Sequence, residues 1–336
     1  MLKNVRIGAR LMAGVTLVVV AAVVLTLVVV MNSLGNMADR AEQRELNDLG
    51  DLLVRQLEQE ADRGTGMAQA VAAIPDIQEA FAQRDRERLH EMTVPGFDHL
   101  YEEYGVRQYQ FHTPPATSFL RAHRPDRYGD DLSGFRQTVV ETNRDRRPIS
   151  GLEEGVAGLG IRGIVPVAFE GEHIGSVEFG MAFDDAFFED FTADTDAPVA
   201  LYLRDEGGFQ AFGSTIEGDS AFSSEEMRRI LDGEELVRHV ERNGRPMAVV
   251  GRAVEDFSGE PVGVLELMVD RSDYVAMARN ATTTVLAVGV IAIGLGLLLA
   301  WGLSRSIVRP LRQTVERLDD IASGDGDLTR RLEADG

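Results

Sequence analysis

The sequence predicts an α+β chain: two tandem modules of mixed helix and strand on a long N-terminal stalk helix, flanked by two membrane-spanning helices. Three observations carry this reading. Two uncharged apolar spans, residues 11–31 and 281–303, bracket a long polar stretch. Apolar residues at the helical period follow the first span. Strand-like runs separated by turns then recur twice in the same order.

The first span, Leu11 to Met31, reads LMAGVTLVVVAAVVLTLVVVM, and roughly 20 apolar residues suffice to cross about 30 Å of hydrocarbon. Lys3, Arg6 and Arg10 before it would also suit a cleaved signal peptide. The apolar core of such a peptide is only about 7–15 residues long, and no convincing small-residue cleavage site follows Met31, so a retained anchor is expected. The second span, ATTTVLAVGVIAIGLGLLLAWGL, carries Gly289, Gly294 and Gly296, which allow close helix packing in a membrane. Basic loops stay cytoplasmic, and Arg305, Arg309 and Arg312 follow this span as Lys3, Arg6 and Arg10 precede the first. Residues 1–10 and the C-terminal end are therefore expected inside, with residues 32–278 in the periplasm. The expected location is the inner membrane, crossed twice.

Charge divides along the same lines. Between residues 32 and 278 stand 24 basic and 48 acidic residues, so the excess negative charge belongs to the external segment. Such a surface argues against nucleic acid or anionic lipid as a partner, because both attract basic patches. Lys3 is the only lysine, a pattern that also fits a salty habitat. With no cysteine, disulfide and thiol chemistry are excluded. A metal site would have to use histidine and carboxylates, and neither a metal nor a cofactor is expected.

Leu46, Leu49, Leu53 and Leu57 recur at intervals of three and four, which marks a helix from Asn32 to about Ile74, ended by Pro75. A helix of about 40 residues would stand roughly 60 Å tall, a stalk continuing the first span. A second helical patch covers residues 76 to 104. Val106 to His112 and Thr117 to Arg121 then read as strands around Pro114-Pro115. A short helix from Leu132 to Arg146, opened by Asp130 and Asp131, precedes strands at Ser150 to Val156, Ile161 to Phe169 and His173 to Phe183. A second set follows: Pro198 to Arg204, Phe209 to Gly213, a helix from about Ser223 to Leu231, then Leu236 to Glu241, Pro246 to Glu255 and Val262 to Asp270. The closing strands match by residue, Ile174-Gly175-Ser176-Val177-Glu178 against Val262-Gly263-Val264-Leu265-Glu266, and such repetition implies two modules of one fold. The distal module spans about residues 76–190 and the proximal one about 196–272.

A helix-rich start followed by five strands is PAS-like, and residues 32–278 resemble the double Cache domain of bacterial chemoreceptors and sensor kinases. The stretch from Phe111 to Gly180 resembles the membrane-distal module of one such subfamily. The resemblance implies that the distal module binds a small ligand and that the proximal one, with a less polar set of residues, is mainly structural. Residues 304–336 carry a coiled-coil-like stripe, Ile307, Leu311, Val315, Leu318 and Ala322. Pro310-Leu311 and Gly326-Asp327-Leu328-Thr329 resemble the motifs of a HAMP domain, making this segment its first helix and the start of its connector. Methyl-accepting chemotaxis proteins are the expected owners of this combination, with a histidine kinase or diguanylate cyclase as the alternative. The resemblance implies a homodimer that addresses a chemotaxis kinase and coupling proteins through an output module expected after Gly336.

Strand alternation selects the ligand candidates. In the last distal strand Val177, Phe179, Met181 and Phe183 share an apolar face, so Ser176, Glu178 and Gly180 share the other. Glu178 is the first candidate. Arg121, in phase with Thr117 and Phe119, and Arg162, which breaks an apolar rhythm, would hold carboxylates bidentately and so select an organic acid or an amino acid. Arg136 and Glu153 either complete a mixed-charge pocket or bridge one another. His112 is expected as a hydrogen-bonding pocket wall, and Tyr109 and Phe111 as core. Gly158-Leu-Gly160-Ile-Arg-Gly163 fits G-x-G-x-x-G in form, but no helix opens there, so a strand is expected instead of a dinucleotide loop. The Asp325-Gly326-Asp327 run lacks the rest of a calcium loop. Without G-x-S-x-G, HExxH or cysteine, no enzyme is expected. A transducer without a ligand remains the rival reading.

Overall fold

A computed structural model of the chain describes residues 7–155 and 158–303, and beyond them residues 305, 306, 310, 311, 313–315 and 318. The chain divides into two compact units, Glu42–Ser272 and Met1–Ala41 with Asp273–Gly336.

In the unit Glu42–Ser272, helix α1 (Ile7–Ala72) supplies the spine. Leu46, Leu53, Leu57, Ala61, Ala68 and Ala72 are all buried, at spacings of four or seven that keep them on one face of a 3.6-residue helix. Each fully buried leucine stabilises by about 1.5–3 kcal/mol. Three short helices follow: α2 (Pro75–Ala82), opened by Pro75; α3 (Arg86–Thr93), capped by Asp85 accepting from Arg88 N at 3.0 Å; and α4 (Phe97–Tyr104), ended by Gly105 at φ +67°.

The distal sheet contains β1 (Val106–Thr113), β2 (Thr117–Arg121), β3 (Ile149–Gly155), β4 (Gly158–Phe169) and β5 (Glu172–Met181). All its pairings are antiparallel, in the order β2-β1-β5-β4-β3. Helix α5 (Gln137–Asp145) lies between β2 and β3 in the chain, and α6 (Asp185–Thr195) joins the two modules. The proximal sheet repeats the plan with β6 (Val199–Asp205), β7 (Gly208–Ser214), α7 (Ser224–Leu231), β8 (Leu236–Arg242), β9 (Arg245–Glu255) and β10 (Pro261–Asp270), in the order β7-β6-β10-β9-β8. The internal repeat is therefore real. One face of each sheet and the α1 stripe share a single apolar core that includes Val177, Phe179, Leu265 and Leu267.

Helix α5 begins five residues later than expected. Leu132 instead starts a turn, with Phe135 N and Arg136 N donating to its carbonyl at 3.1 and 2.9 Å. Asp131 accepts from Ser133 N at 3.0 Å, a local bond that competes with helix formation. Arg136, at φ −107° and ψ 71°, has no side-chain capping bond of its own, and the cap arrives from elsewhere in the fold.

Two glycines set the distance between spine and sheet. A Cβ on Gly163 would lie 2.2 Å from Thr65 N, and one on Gly64 would lie 3.1 Å from the Phe179 carbonyl. Gly163→Ala must push α1 away from β4, since the obstacle is backbone. Such overpacking costs about 1–3 kcal/mol, and a lowered urea midpoint with an unchanged slope is the expected readout.

The unit of chain ends holds the first part of α1 and α8 (Ser272–Leu303). Both contain stretches long and apolar enough to cross a membrane. A Cβ on Gly296 would lie 2.7 Å from Val19 Cγ1, and one on Gly289 3.1 Å from Leu27 Cδ1, so these glycines admit the close helix contact their positions suggest. Leu311, Val315 and Leu318 of the C-terminal stripe are exposed. Ile307, Ala322 and the Gly326 to Thr329 motif lie outside the described residues.

Candidate ligand site

On the face of the distal sheet turned away from the core, cross-strand partners form rows. Gln110, Glu178 and Ile164 make one; Gln108, Gly180 and Arg162 make the next. Ser118, His112 and Ser176 form a third row on the other side of Glu178. The small residues of this face are what make room for long polar side chains.

Arg136, on the turn before α5, is the hub. Its Nε donates to Glu153 Oε2 at 2.8 Å and its Nη2 to Glu178 Oε1 at 2.7 Å. Gln110 Nε2 donates to Glu178 Oε2 at 2.8 Å. Glu153 also accepts from Thr138 N at 2.7 Å and from Thr138 Oγ1 at 2.5 Å. The missing cap of α5 is thus a carboxylate on β3, placed where a helix N-terminus favours negative charge. All five side chains are buried or nearly so. Burial would raise the Glu178 carboxyl, but the guanidinium groups of Arg136 and Arg162 outweigh it and hold the group at about 2. Burial likewise opposes charge on Arg136, and Glu178 and Glu153 together keep it firmly protonated.

Arg162 is the exception in this network. It is 4% exposed, its Nη1 lies 3.5 Å from Glu178 Oε1, and its buried Nε has no hydrogen-bond partner among the described residues. Burial lowers its pKa, only partly countered by Glu178. Glycines build its slot: a Cβ on Gly160 or Gly180 would stand 3.0 or 2.8 Å from the guanidinium. The glycines of the G-x-G-x-x-G string therefore lie on a strand, as the sequence predicts, and Gly160 and Gly163 serve a cation and a helix. A buried guanidinium with unfilled hydrogen-bonding capacity is costly unless an anion completes it.

In front of Arg162 lies a cavity of about 610 Å³. Arg136, Gln110, Phe97, Leu132 and Phe135 also line it, and Arg121, Arg124, Arg127, Asp130 and His123 come from the β2 end and the loop after it. Of the six candidates, Arg121, Arg136 and Arg162 face this cavity. Glu178 and Glu153 stand behind the arginines as counter-charges. Arg121 is braced by Asp130 Oδ2 at 2.6 Å and the Arg127 carbonyl at 3.0 Å, which makes it part of the rim. The structure corrects the placement of His112: it is fully buried beside Glu178, at 3.4 Å, and is not among the lining residues. Its row neighbours are Ser118 and Ser176, on the side of Glu178 away from the Arg162 row. Burial depresses the His112 pKa to about 3, despite the neighbouring carboxylate.

Sequence reasoning missed Gln110, Thr138, Arg124 and Arg127. Gln110 was open to discovery, since it alternates in phase with His112. The loop arginines were not, because nothing in their spacing says that the loop folds over the sheet.

The proximal module holds the equivalent carboxylate, Glu266, differently. Glu266 is fully buried and accepts from Ser220 Oγ and, at 3.0 Å, from Ala221 N. Its partners come from the protein's own loop, and among the described residues no guanidinium takes the position that Arg136 takes on Glu178.

Residues 39–275 match the dCache_3 family, described as a double sensory domain of two-component sensor kinase, and residues 302–336 match the HAMP domain. The methyl-accepting chemotaxis protein TlpQ of Pseudomonas aeruginosa is 46% identical over 56 residues, 17% of this chain and 8% of that protein. McpQ of Pseudomonas putida is 45% identical over 58 residues, 17% of this chain and 9% of that protein. The matched segments thus span under a tenth of these two relatives. Among solved structures, the ligand-binding domain of Campylobacter jejuni chemoreceptor Tlp3 in complex with 4-methylisoleucine superposes with a TM-score of 0.48 at 9% identity, covering 72% of this chain and 94% of that one. The ligand-binding domain of Mlp24 with asparagine gives 0.44 at 13% identity, covering 74% and 99%.

Proposed function

The chain belongs to the dCache_3 family of double sensory domains, and from that premise we propose that it is the front end of a transmembrane chemoreceptor whose distal module captures a small anionic solute. The observation that carries the proposal is Arg162: a buried guanidinium, incompletely paired, at the wall of a cavity large enough for a metabolite. The proximal module, whose equivalent carboxylate is closed by its own loop, transmits. Both termini lie in the cytoplasm by the distribution of basic residues, and the exposed Leu311, Val315 and Leu318 stripe pairs with a second copy. Chemotaxis is favoured as the output by the local identity to methyl-accepting chemotaxis proteins; the family description favours a sensor kinase as the second reading. A solute that prefers one of two arrangements by about 1–3 kcal/mol would shift output by roughly 5- to 150-fold.

Thermal unfolding of the full chain in nanodiscs, with a panel of organic anions and amino acids, tests the binding step. A ligand at about 100 times its Kd adds about 2.7 kcal/mol to stability, so a true ligand raises the melting temperature. Arg162→Met should abolish that rise while leaving the unliganded melting temperature unchanged or higher, because an undercompensated buried charge is removed. A rise that survives in Arg162→Met would exclude this cavity as the site.

A further inference from the structure

We infer that the solute is an organic acid with at least two carboxylates and no ammonium group, which rests on the reading of the distal cavity as the solute site. The charged hydrogen-bonding capacity left free in the buried wall of the cavity is that of a donor, Arg162. Glu178 already accepts from Arg136 and Gln110, and both oxygens of Glu153 are taken by Arg136 and Thr138. On the cavity wall, Asp130 is held by Arg121, and Asp131 accepts from Ser133. An amino acid brings an ammonium that needs acceptors; Asp130 and Asp131 keep one oxygen each, but at exposed positions, and the buried carboxylates are committed. Breaking one away would strand its buried partner, at the cost that follows any unpaired buried charge.

Cations, by contrast, are available at two depths. Arg162 waits in the buried wall with Nε unpartnered, while Arg124 and Arg127 line the same cavity from exposed loop positions. Among the described residues neither loop arginine forms an ion pair. Phe97, Leu132 and Phe135 line the cavity too, and suit a short methylene chain. A molecule with a carboxylate at each end and carbon between matches this distribution, because each carboxylate can accept a guanidinium fork.

Calorimetric titration of the full chain in nanodiscs separates the alternatives. The probes are succinate, glutarate and propane-1,2,3-tricarboxylate, compared with L-aspartate, L-alanine and propionate. Succinate and L-aspartate differ only by the ammonium. At least one polycarboxylate should bind about tenfold or more tightly than any of the three comparison compounds, with affinity falling as salt rises. Arg162→Met and the double variant Arg124→Gln/Arg127→Gln should each weaken that binding, without lowering the melting temperature. Binding of L-aspartate or L-alanine as tight as any polycarboxylate would overturn the inference and leave the cavity as a solute site. Binding of propionate alone would overturn the second carboxylate. If none of the six bound, both the inference and the assignment of the cavity would fall.

Discussion

Arg136→Ala is expected to destabilise the sensor unit by about 3–5 kcal/mol, the cost of removing one partner from a buried ionic network. The arginine sits between two carboxylates, Glu178 and Glu153, that are 0% and 4% exposed. Deleting it leaves both charges in the protein with far less compensation, and leaves α5 capped by a carboxylate that has lost its counter-ion. The contrast with Arg162→Met is the diagnostic result. Both residues are arginines, both are buried, and both approach Glu178. One neutralises two charges at 2.7 and 2.8 Å; the other stands 3.5 Å from one carboxylate with capacity to spare. Stability should therefore collapse in the first variant and hold in the second. Chemical denaturation of both proteins beside the wild type measures the difference, and equal losses would refute this division of roles.

Acid sensitivity is the second large effect. The native His112 takes up its proton only at about pH 3, whereas an unfolded histidine does so near 6.5. Between those values the unfolded state binds the extra proton, so stability falls as pH falls, by about 1.4 kcal/mol per unit. Glu178 acts in the same direction in a lower window. Its native value of about 2 lies below the ordinary carboxylate range, so its contribution is full above about pH 4.5 and is lost as pH drops toward 2. Lowering the pH from 6.5 to 5 should cost about 2 kcal/mol through His112 alone. In His112→Gln that loss should disappear, since glutamine fills the space without titrating. An undiminished slope between pH 6.5 and 5 in the variant would remove His112 as its source.

The sequence made the sheets legible because their strands alternate. Val177 and Phe179 flank Glu178, and only one assignment of faces buries the first two while turning the third toward the polar side. The same rule placed Arg162 opposite the core, and the spacing of Arg136 and Glu153 already allowed the mutual bridge that forms. What alternation could not show is depth. His112 and Arg121 belong to strands that read as pocket-lining, but His112 is fully buried beside Glu178, while Asp130 ties Arg121 to the rim. The turn before α5 was missed for a related reason. Asp130 and Asp131 look like helix openers, and the true cap, Glu153, is 15 residues away from the Thr138 amide that it accepts from. Long-range partners of this kind leave no local periodicity.

A structure of the full chain with a bound organic anion tests the assignment of the distal cavity most directly. The expected result is a carboxylate within about 3 Å of Arg162 Nε, with Arg136 still bridging Glu178 and Glu153. A solute seated in the proximal module, or in the distal module with Arg162 Nε unengaged, would contradict it.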